Sequence, residues 1–454
     1  MDSALQQITD RVRAATASGT PLRIRGGGSK DFYGQLLQGE LLDTTPLTGI
    51  TSYEPSELVV TVRAGTPLTE LEAALAECGQ CLPFEPPHFG SQSGPFPAPP
   101  GEAVREGGTQ YSGNAAGSAA TVGGMVAAGL SGPARASVGG VRDYMLGVQL
   151  LNGRGEHLTF GGQVMKNVAG YDVSRLMAGA MGTLGLITEV SLKVLPVAPA
   201  EATLVFELDQ AQALAQLHRW GAQPLPLNAS CWVHDDTVKP DATRGETGAH
   251  ANGKVAGHVT DGNVAGNVAA KVIAKVTGNV AGNVTAKVGG VGRLYVRLRG
   301  AVAAVESACK SMTQQIAGSR IEGTVAVADW QACRDLRLPF FGNPPQPDMA
   351  LWRLSVAQTA PPLNLPWPQL VEWHGALRWL WAPLDAAASV REAAGQGGGH
   401  ATVFISNYVY STRATDRFDA FSALNAPLDA IHRRLKAEFD PAGIFNRGRL
   451  YPDL

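Results

Sequence analysis

Residues 25–30, Arg-Gly-Gly-Gly-Ser-Lys, hold the densest chemical potential in the sequence. Three glycines in a row, Gly26, Gly27 and Gly28, lose much backbone entropy on folding. A chain keeps them where it needs positive φ or where a ligand must touch backbone. Bare N–H groups in such a loop form a nest for anions, and Arg25, Ser29 and Lys30 flank it with further donors. The chemistry this suits is a phosphate cradle; the alternative is a plain tight turn. The loop is not a Walker A loop, because G-x-x-x-x-G-K-[ST] is absent. Nor is it a Rossmann fingerprint, because Phe32-Tyr33-Gly34 leads into another loop and not into a helix.

More small-residue loops follow: Thr121-Val122-Gly123-Gly124, Ser131-Gly132-Pro133, and Gly139-Gly140-Val141-Arg142-Asp143. Several such loops around short strands imply close backbone approaches to one extended ligand, and a dinucleotide has that shape. The cysteines offer less. Cys78, Cys81, Cys231, Cys309 and Cys333 are an odd, sparse set, as expected in a reducing compartment. Cys78-x-x-Cys81 closes a predicted helix, whereas a redox pair usually opens one, so the spacing reads as coincidence. With no second pair, cysteine alone cannot build a four-ligand zinc site, and no metal is expected.

These loops need strands and helices to hold them. Leu5, Ile8 and Val12 recur at helical spacing near the start. Strands are predicted at Leu22–Arg25 and near Leu58–Val62. Pro67 then sits in the first turn of a helix reaching Glu77. Residues 91–118, rich in Gly, Pro and Ser, read as a long loop insertion. A short apolar helix follows Thr121, and Met145–Leu151 alternates as a strand. Asn152-Gly153 signals a hairpin to Glu156–Phe160. A helix at Val173–Ala178, a glycine turn at Gly182 and Gly185 and a long strand at Leu186–Leu195 complete this part. From residue 200 the order is strand, helix, strand, then strand, helix, a split pattern of the ferredoxin-like kind, with Asp209 as a helix cap. Further strands are predicted at Ala350–Val356, Leu377–Ala382 and Ala401–Ile405, and a last helix at Asp419–Phe439. Between residues 250 and 290, valines recur at a near-regular step of four. Glycine in almost every unit opposes a helix, so this reads as a low-complexity insertion between two strands.

The 454 residues suit two or three domains. With Lys+Arg 37 against Asp+Glu 39, no basic face is implied and nucleic acid is not an expected partner. No apolar run is long enough for a membrane span, and no signal pattern opens the chain. A cytoplasmic location is expected.

The motif series resembles a known family. R-G-G-G-S, V-R-A-G-T-P-L-x-E-L, T-V-G-G, V-R-D, K-N-V-A-G-Y-D and G-T-L-G-L-I-T-E-V-S-L-K-V look like the FAD-binding domain of the vanillyl-alcohol-oxidase, or PCMH, type. The ending FDPAGIFNRGRLY, Phe439–Tyr451, is similar to that superfamily's D-P-x-G-x-F-N-P-G-R. LPFEPPHFG, LSGPARASVGGVRDYMLGVQLLNGRGE and VMKNVAGYDVSRLMAGAMGTLG resemble the FAD-binding E subunits of bacterial glycolate oxidases more specifically. The resemblance covers most of residues 20–200, pieces of the later part such as LWRLSV, and the ending.

It implies an α+β fold: a two-subdomain PCMH-type FAD-binding domain over residues 1–199, then a ferredoxin-like cap over 200–430 carrying the insertion at about 245–290. A tail over 431–454 would return to the flavin. By resemblance, Arg25, Gly26, Gly27, Gly28, Ser29 and Lys30 would face the FAD pyrophosphate, with Thr121, Gly123 and Gly124 opposite. Gly132, Arg142 and Asp143 belong to the same expected site, the last two near phosphates and ribose. Ile187 would meet the adenine through its backbone, and Asn446 and Arg449 would bring the tail back to the flavin.

Departures matter too. Ser29 stands where flavin-linking members carry histidine, and His88 has no matching role, so noncovalent FAD is expected. The D-subunit-type G-H-x-G-D-G-N-x-H is replaced by GGGHATVFISN with His400 alone, and Arg447 replaces the tail proline. No catalytic residue is assigned. The resemblance implies a small 2-hydroxy acid as substrate, and a second FAD subunit and an iron–sulfur subunit as partners. Attachment at the inner membrane through that complex stays open. So do two alternatives: a non-catalytic scaffold subunit, with or without FAD, and a stand-alone D-lactate-type dehydrogenase.

Overall fold

The computed structural model describes residues 2–35, 38–89, 120–162, 172–235, 291–342, 344–406, 419–452 and 454. The expected loop at 91–118, most of the K-N-V-A-G-Y-D motif and the valine-repeat segment lie outside the described residues. The described residues up to His234 and from Gly292 onward form one compact unit.

Helix α1, Ser3–Ser18, begins at Asp2, whose carboxylate accepts from the Ala4 N–H, and ends at Gly19 in the left-handed conformation. Its Ile8, Val12 and Ala15 pack in one cluster with Leu22, Leu42 and Phe445. Strand β1, Leu22–Arg25, pairs in parallel with β2, Glu40–Asp43. Then follow β3 (Ile50–Glu54), β4 (Val59–Arg63), α2 (Leu68–Glu77), β5 (Gln80–Cys81), α3 (Val122–Ala128) and α4 (Arg135–Val138). Strands β6 (Met145–Leu151) and β7 (His157–Gly161), α5 (Val173–Met177), β8 (Leu186–Lys193) and β9 (Leu195–Pro196) complete this part. A five-stranded antiparallel sheet runs in the order β3-β4-β8-β6-β7. Leu68, Leu71 and Leu75 of α2 and Met125 and Val126 of α3 share a core with Val60, Val62, Val148, Val190 and Leu192 of the sheet.

The β6–β7 connection is not the tight two-residue turn that Asn-Gly favours. Asn152 N–H donates to Glu156 O, and its Oδ1 accepts from the N–H groups of Arg154 and Glu156. Positive φ falls on Gly155, at 72°, and not on Gly153. Gly153 serves close approach instead: an added Cβ would lie 2.8 Å from the Asp440 Cα.

The later part contains β10 (Ala200–Glu207), α6 (Gln210–Gly221), β11 (Leu227–Asp235), β12 (Val291–Gly300), α7 (Val302–Gln315), β13 (Gly318–Arg320), α8 (Gly323–Arg334) and α9 (Pro339–Gly342). Strands β14 (Met349–Ser355), β15 (Gln369–Glu372) and β16 (Leu377–Pro383), helix α10 (Ala387–Gln396), strand β17 (His400–Ile405) and helix α11 (Ala426–Phe439) follow. One eight-stranded sheet takes the order β13-β10-β12-β11-β15-β16-β14-β17. Its first four strands have the ferredoxin-like arrangement expected, and β14–β17 extend it as a second half. Asp209 caps α6 in a reciprocal capping box with Gln212. Helix α11 starts seven residues later than its pattern predicts, because Asn425 accepts from the Leu428 N–H and Pro427 occupies the first turn.

After α11 the chain returns to β1. Leu22 N–H donates to Ile444 O at 2.7 Å, and Asn446 N–H to Leu22 O at 3.0 Å. Among the described residues no helix is long and apolar enough to cross a membrane.

Candidate cofactor-binding site

The glycine loop leaves the end of β1 and lines an open cleft. Arg25, Gly26, Gly27, Gly28, Ser29 and Lys30 form one wall. Thr121, Gly123 and Gly124, at the start of α3, and Ile187 of β8 face them, with Asn446 and Arg449 from the tail. Small residues are a geometric demand here. An added Cβ at Gly26 would run into the Thr121 hydroxyl, and one at Gly123 would lie 2.7 Å from the Ala64 Cβ. Gly28 has φ 74°, a conformation that side chains strain.

The donors in this cleft are unevenly spent. At α3, Val122 N–H donates to Thr66 O, Gly123 N–H to Ala64 O, and Gly124 N–H to Thr121 Oγ1. In the glycine loop, no hydrogen bond from the N–H of Gly26, Gly28, Ser29 or Lys30 is found among the described residues. The loop therefore offers a row of backbone donors, while the helix start offers close approach. Arg25 is committed to Asp31, with Nε to Oδ2 at 2.7 Å. The Lys30 ammonium lies 5.7 Å from the Phe89 ring centroid, and burial draws it down to about 8 despite Asp335. A diphosphate fits this donor set: unspent N–H groups, one poorly solvated cation and no Cβ in the way.

Asn446 and Arg449 line the cleft as braces. Asn446 Oδ1 accepts from Ile24 N–H at 2.8 Å, and its Nδ2 donates to Met181 O at 2.6 Å. Arg449 Nη2 donates to the carbonyls of Lys30 and Asp31, fixing the loop from behind. Lys436 supports the tail in turn, donating to Thr183 O, Asp440 Oδ2 and Phe445 O, each at 2.7 Å.

Three expected residues lie elsewhere. Arg142 and Asp143 sit exposed in the turn before β6, where Asp143 accepts from Gly140 N–H. Gly132 lines a second, smaller cavity with Phe89, Leu130, Arg353, Glu372, Trp373 and Trp379. Sequence reasoning missed Ala64, Ala127, Ala128 and Met181 in the first cleft. It also missed the polar groups of the second, which arrive on separate strands without a local motif. His88 pairs with Glu72 at 2.9 Å. His400 opens β17 opposite Ser355, held below the usual imidazole range by burial and by Arg353. Cys78 and Cys81 are free thiols, and no metal-binding cluster occurs among the described residues.

"Glycolate oxidase subunit GlcE" of Escherichia coli (strain K12) is 35% identical to this chain over 449 residues, 99% of this chain and 98% of that protein. The chain belongs to the GlcE family of glycolate oxidase subunits. A family model described as "FAD binding domain" matches residues 3–93, which contain the glycine loop. This GlcE-family chain thus carries a PCMH-type FAD-binding domain and is a member of the FAD-linked oxidoreductases. "Glycolate oxidase subunit GlcD" of Bacillus subtilis (strain 168) is 35% identical over 96 residues, 21% of this chain and 20% of that protein. "D-lactate dehydrogenase" of Anaerostipes hadrus is 28% identical over 174 residues, 38% of this chain and 30% of that protein. A solved alkyldihydroxyacetonephosphate synthase superposes with TM-score 0.57 over 97% of this chain and 75% of its own, at 14% identity, which shows a shared fold.

Proposed function

We propose that this chain is the FAD-holding subunit of a multi-subunit oxidase acting on a small 2-hydroxy acid such as glycolate, passing electrons to an iron–sulfur partner. The observation that carries this reading is the set of unspent backbone donors at Gly26, Gly28, Ser29 and Lys30 in a GlcE-family chain. The domain division at residues 199 and 430 belongs to the same proposal, as does noncovalent attachment, since Ser29 offers no flavin-linking imidazole.

Each residue's part follows from its chemistry. The N–H groups of Gly26, Gly28, Ser29 and Lys30 bind the diphosphate, and the Lys30 ammonium neutralises part of its charge. Thr121, Gly123 and Gly124 admit it closely. Ile187 lies beyond the end of β4, where β6 alone pairs with β8 among the described residues, leaving backbone for the adenine. Arg25, Asn446 and Arg449 hold the loop in shape. Bound there, FAD supplies the two-electron acceptor for oxidation of the hydroxyl-bearing carbon. Arg142, Asp143 and Gly132 take no part in the cleft in this arrangement.

A second reading has its own observation. The G-H-x-G-D-G-N-x-H motif of D-subunit-type sequences is absent, and His400 stands alone. On that reading the chain holds FAD while a partner oxidises the substrate. A visible absorption spectrum of the purified chain, followed by anaerobic glycolate, separates the two. A flavin band that bleaches supports oxidation on this chain, and one that persists supports the partner. No flavin in either the chain or the assembled complex's share of it would overturn both.

A further inference from the structure

The second cavity contains a cation that Glu372 and Tyr33 attract only from a distance. Arg353, on β14, lies with its guanidinium carbon 5.1 Å from the Trp373 ring centroid and 5.9 Å from that of Trp379. Among the described residues, no hydrogen bond or ion pair to this guanidinium is found. A desolvated cation costs free energy unless paired, and aromatic faces repay only part of that cost. Glu372 shares the cavity, but both of its oxygens are engaged. Trp379 Nε1 donates to Oε1 at 2.8 Å, and Cys333 Sγ donates to Oε2 at 3.3 Å. The surroundings add positive charge, since Arg135 stacks on Trp373 with its guanidinium carbon 4.6 Å from the ring centroid.

The backbone is also strained here. Trp373 and His374 hold φ of 53° and 55°, a region costly for bulky residues. The strain is fixed by Trp373 Nε1 donating to Gly132 O, by His374 N–H donating to Ser230 Oγ and by Ser137 meeting the His374 ring. These contacts tie one wall of the cavity to Gly132, to Ser137 of α4 and to Ser230 of β11. Phe89, under the Lys30 ammonium of the cofactor cleft, forms another wall. Phe89 thus links the second cavity to the Lys30 side of the first.

We propose that this cavity binds a small monocarboxylate, with the Arg353 guanidinium taking the carboxylate and Glu372 standing opposite as the polar partner for a hydroxyl. The planar guanidinium fork matches a carboxylate. Aromatic and leucine walls favour one negative charge over two. This subsite rests on the 2-hydroxy acid reading above and names where that acid would sit.

The test uses the full chain with its flavin content measured by absorbance. Calorimetric titration with glycolate is compared with glycolamide, the same molecule without the charge. Glycolate is expected to bind at least about tenfold more tightly, as a charge-assisted pair requires. Arg353→Met should weaken glycolate binding about tenfold to a hundredfold while flavin content stays unchanged, and Arg353→Lys should recover part of it. Equal affinity for glycolate and glycolamide overturns the subsite, as does unchanged binding in Arg353→Met. Should Arg353→Met fail to fold, the wild-type comparison still decides. A flavin band without any glycolate binding overturns this subsite and leaves the FAD reading standing, whereas loss of both fails the larger reading.

Discussion

Lys30 is a largely buried side chain whose charge is easy to remove. Burial lowers it to about 8, so it is a cation below that pH and increasingly neutral above it. An anionic ligand favours the charged form. FAD retention should therefore be full below pH 8 and weaken as pH rises through it. Lys30→Met should lower affinity about tenfold to a hundredfold at pH 7 and flatten that dependence, read by the fluorescence of released flavin. Glu372 behaves in the opposite sense. Burial pushes its carboxyl up to about 7, against hydrogen bonds from Trp379 and Cys333 and the pull of Arg353, with Glu85 adding to the rise. Cys231 faces the same group through Cys333. Between its ordinary value and 7 the folded state binds more protons than the unfolded one, so stability falls as pH rises across that window. Urea midpoints at pH 5 and pH 8 should show this loss, about 3 kcal/mol at most, and Glu372→Gln should reduce it. At this scale the sequence was legible where function is written in neighbouring residues. The run from Arg25 to Lys30 is a local signal, but Arg353, Glu372 and Trp379 lie on three strands, and no spacing joins them.

The elements were more legible than the site. Val173–Met177, Leu186–Lys193 and Met145–Leu151 follow patterns of period 3.6 or 2 that local chemistry sets. Strand β15 escaped because four buried residues show no alternation. The Asn152-Gly153 signal foretold a hairpin but not its turn, since Asn152 spends its side chain on the loop and Gly153 must clear Asp440. Two predictions belong here. Gly28→Val forces a branched side chain onto φ 74° and into the Arg25 guanidinium. It should abolish flavin binding while the far-ultraviolet circular dichroism stays native. Lys436→Met, in α11, leaves the Asp440 carboxylate buried without its cation. It should cost about 3–5 kcal/mol in denaturant melts and release flavin early in the transition.

For the whole molecule, a buried ion cluster ties the glycine-loop half to the eight-stranded sheet. Glu85, at φ 49°, receives Arg297 Nη2 on both oxygens at 2.7 Å and Arg299 at 3.3 Å, and accepts from Ala134 N–H. Burial opposes its ionisation, but the two guanidiniums outweigh burial and hold the carboxyl below its ordinary range. Its stabilisation is complete above the ordinary carboxylate range and is lost as pH falls through the lowered value. Arg297→Met should destabilise by about 3–5 kcal/mol at pH 7, and a double-mutant cycle with Glu85→Gln should show coupling that fades in acid. None of this pairing could be read from order along the chain, because the partners stand 212 residues apart. The tail contact spans still more. Ile24 N–H meets Asn446 Oδ1 across 422 residues, and the two-stranded β1–β2 ribbon gains a flanking segment from Ile444–Asn446. On a ribosome, β1 is made 422 residues before Asn446, so the nucleotide cradle has no rigid back wall while all of the intervening chain is being synthesised. Cofactor capture is then a late event in biogenesis, and nascent chains halted before Asn446 should emerge colourless however well their first sheet has formed.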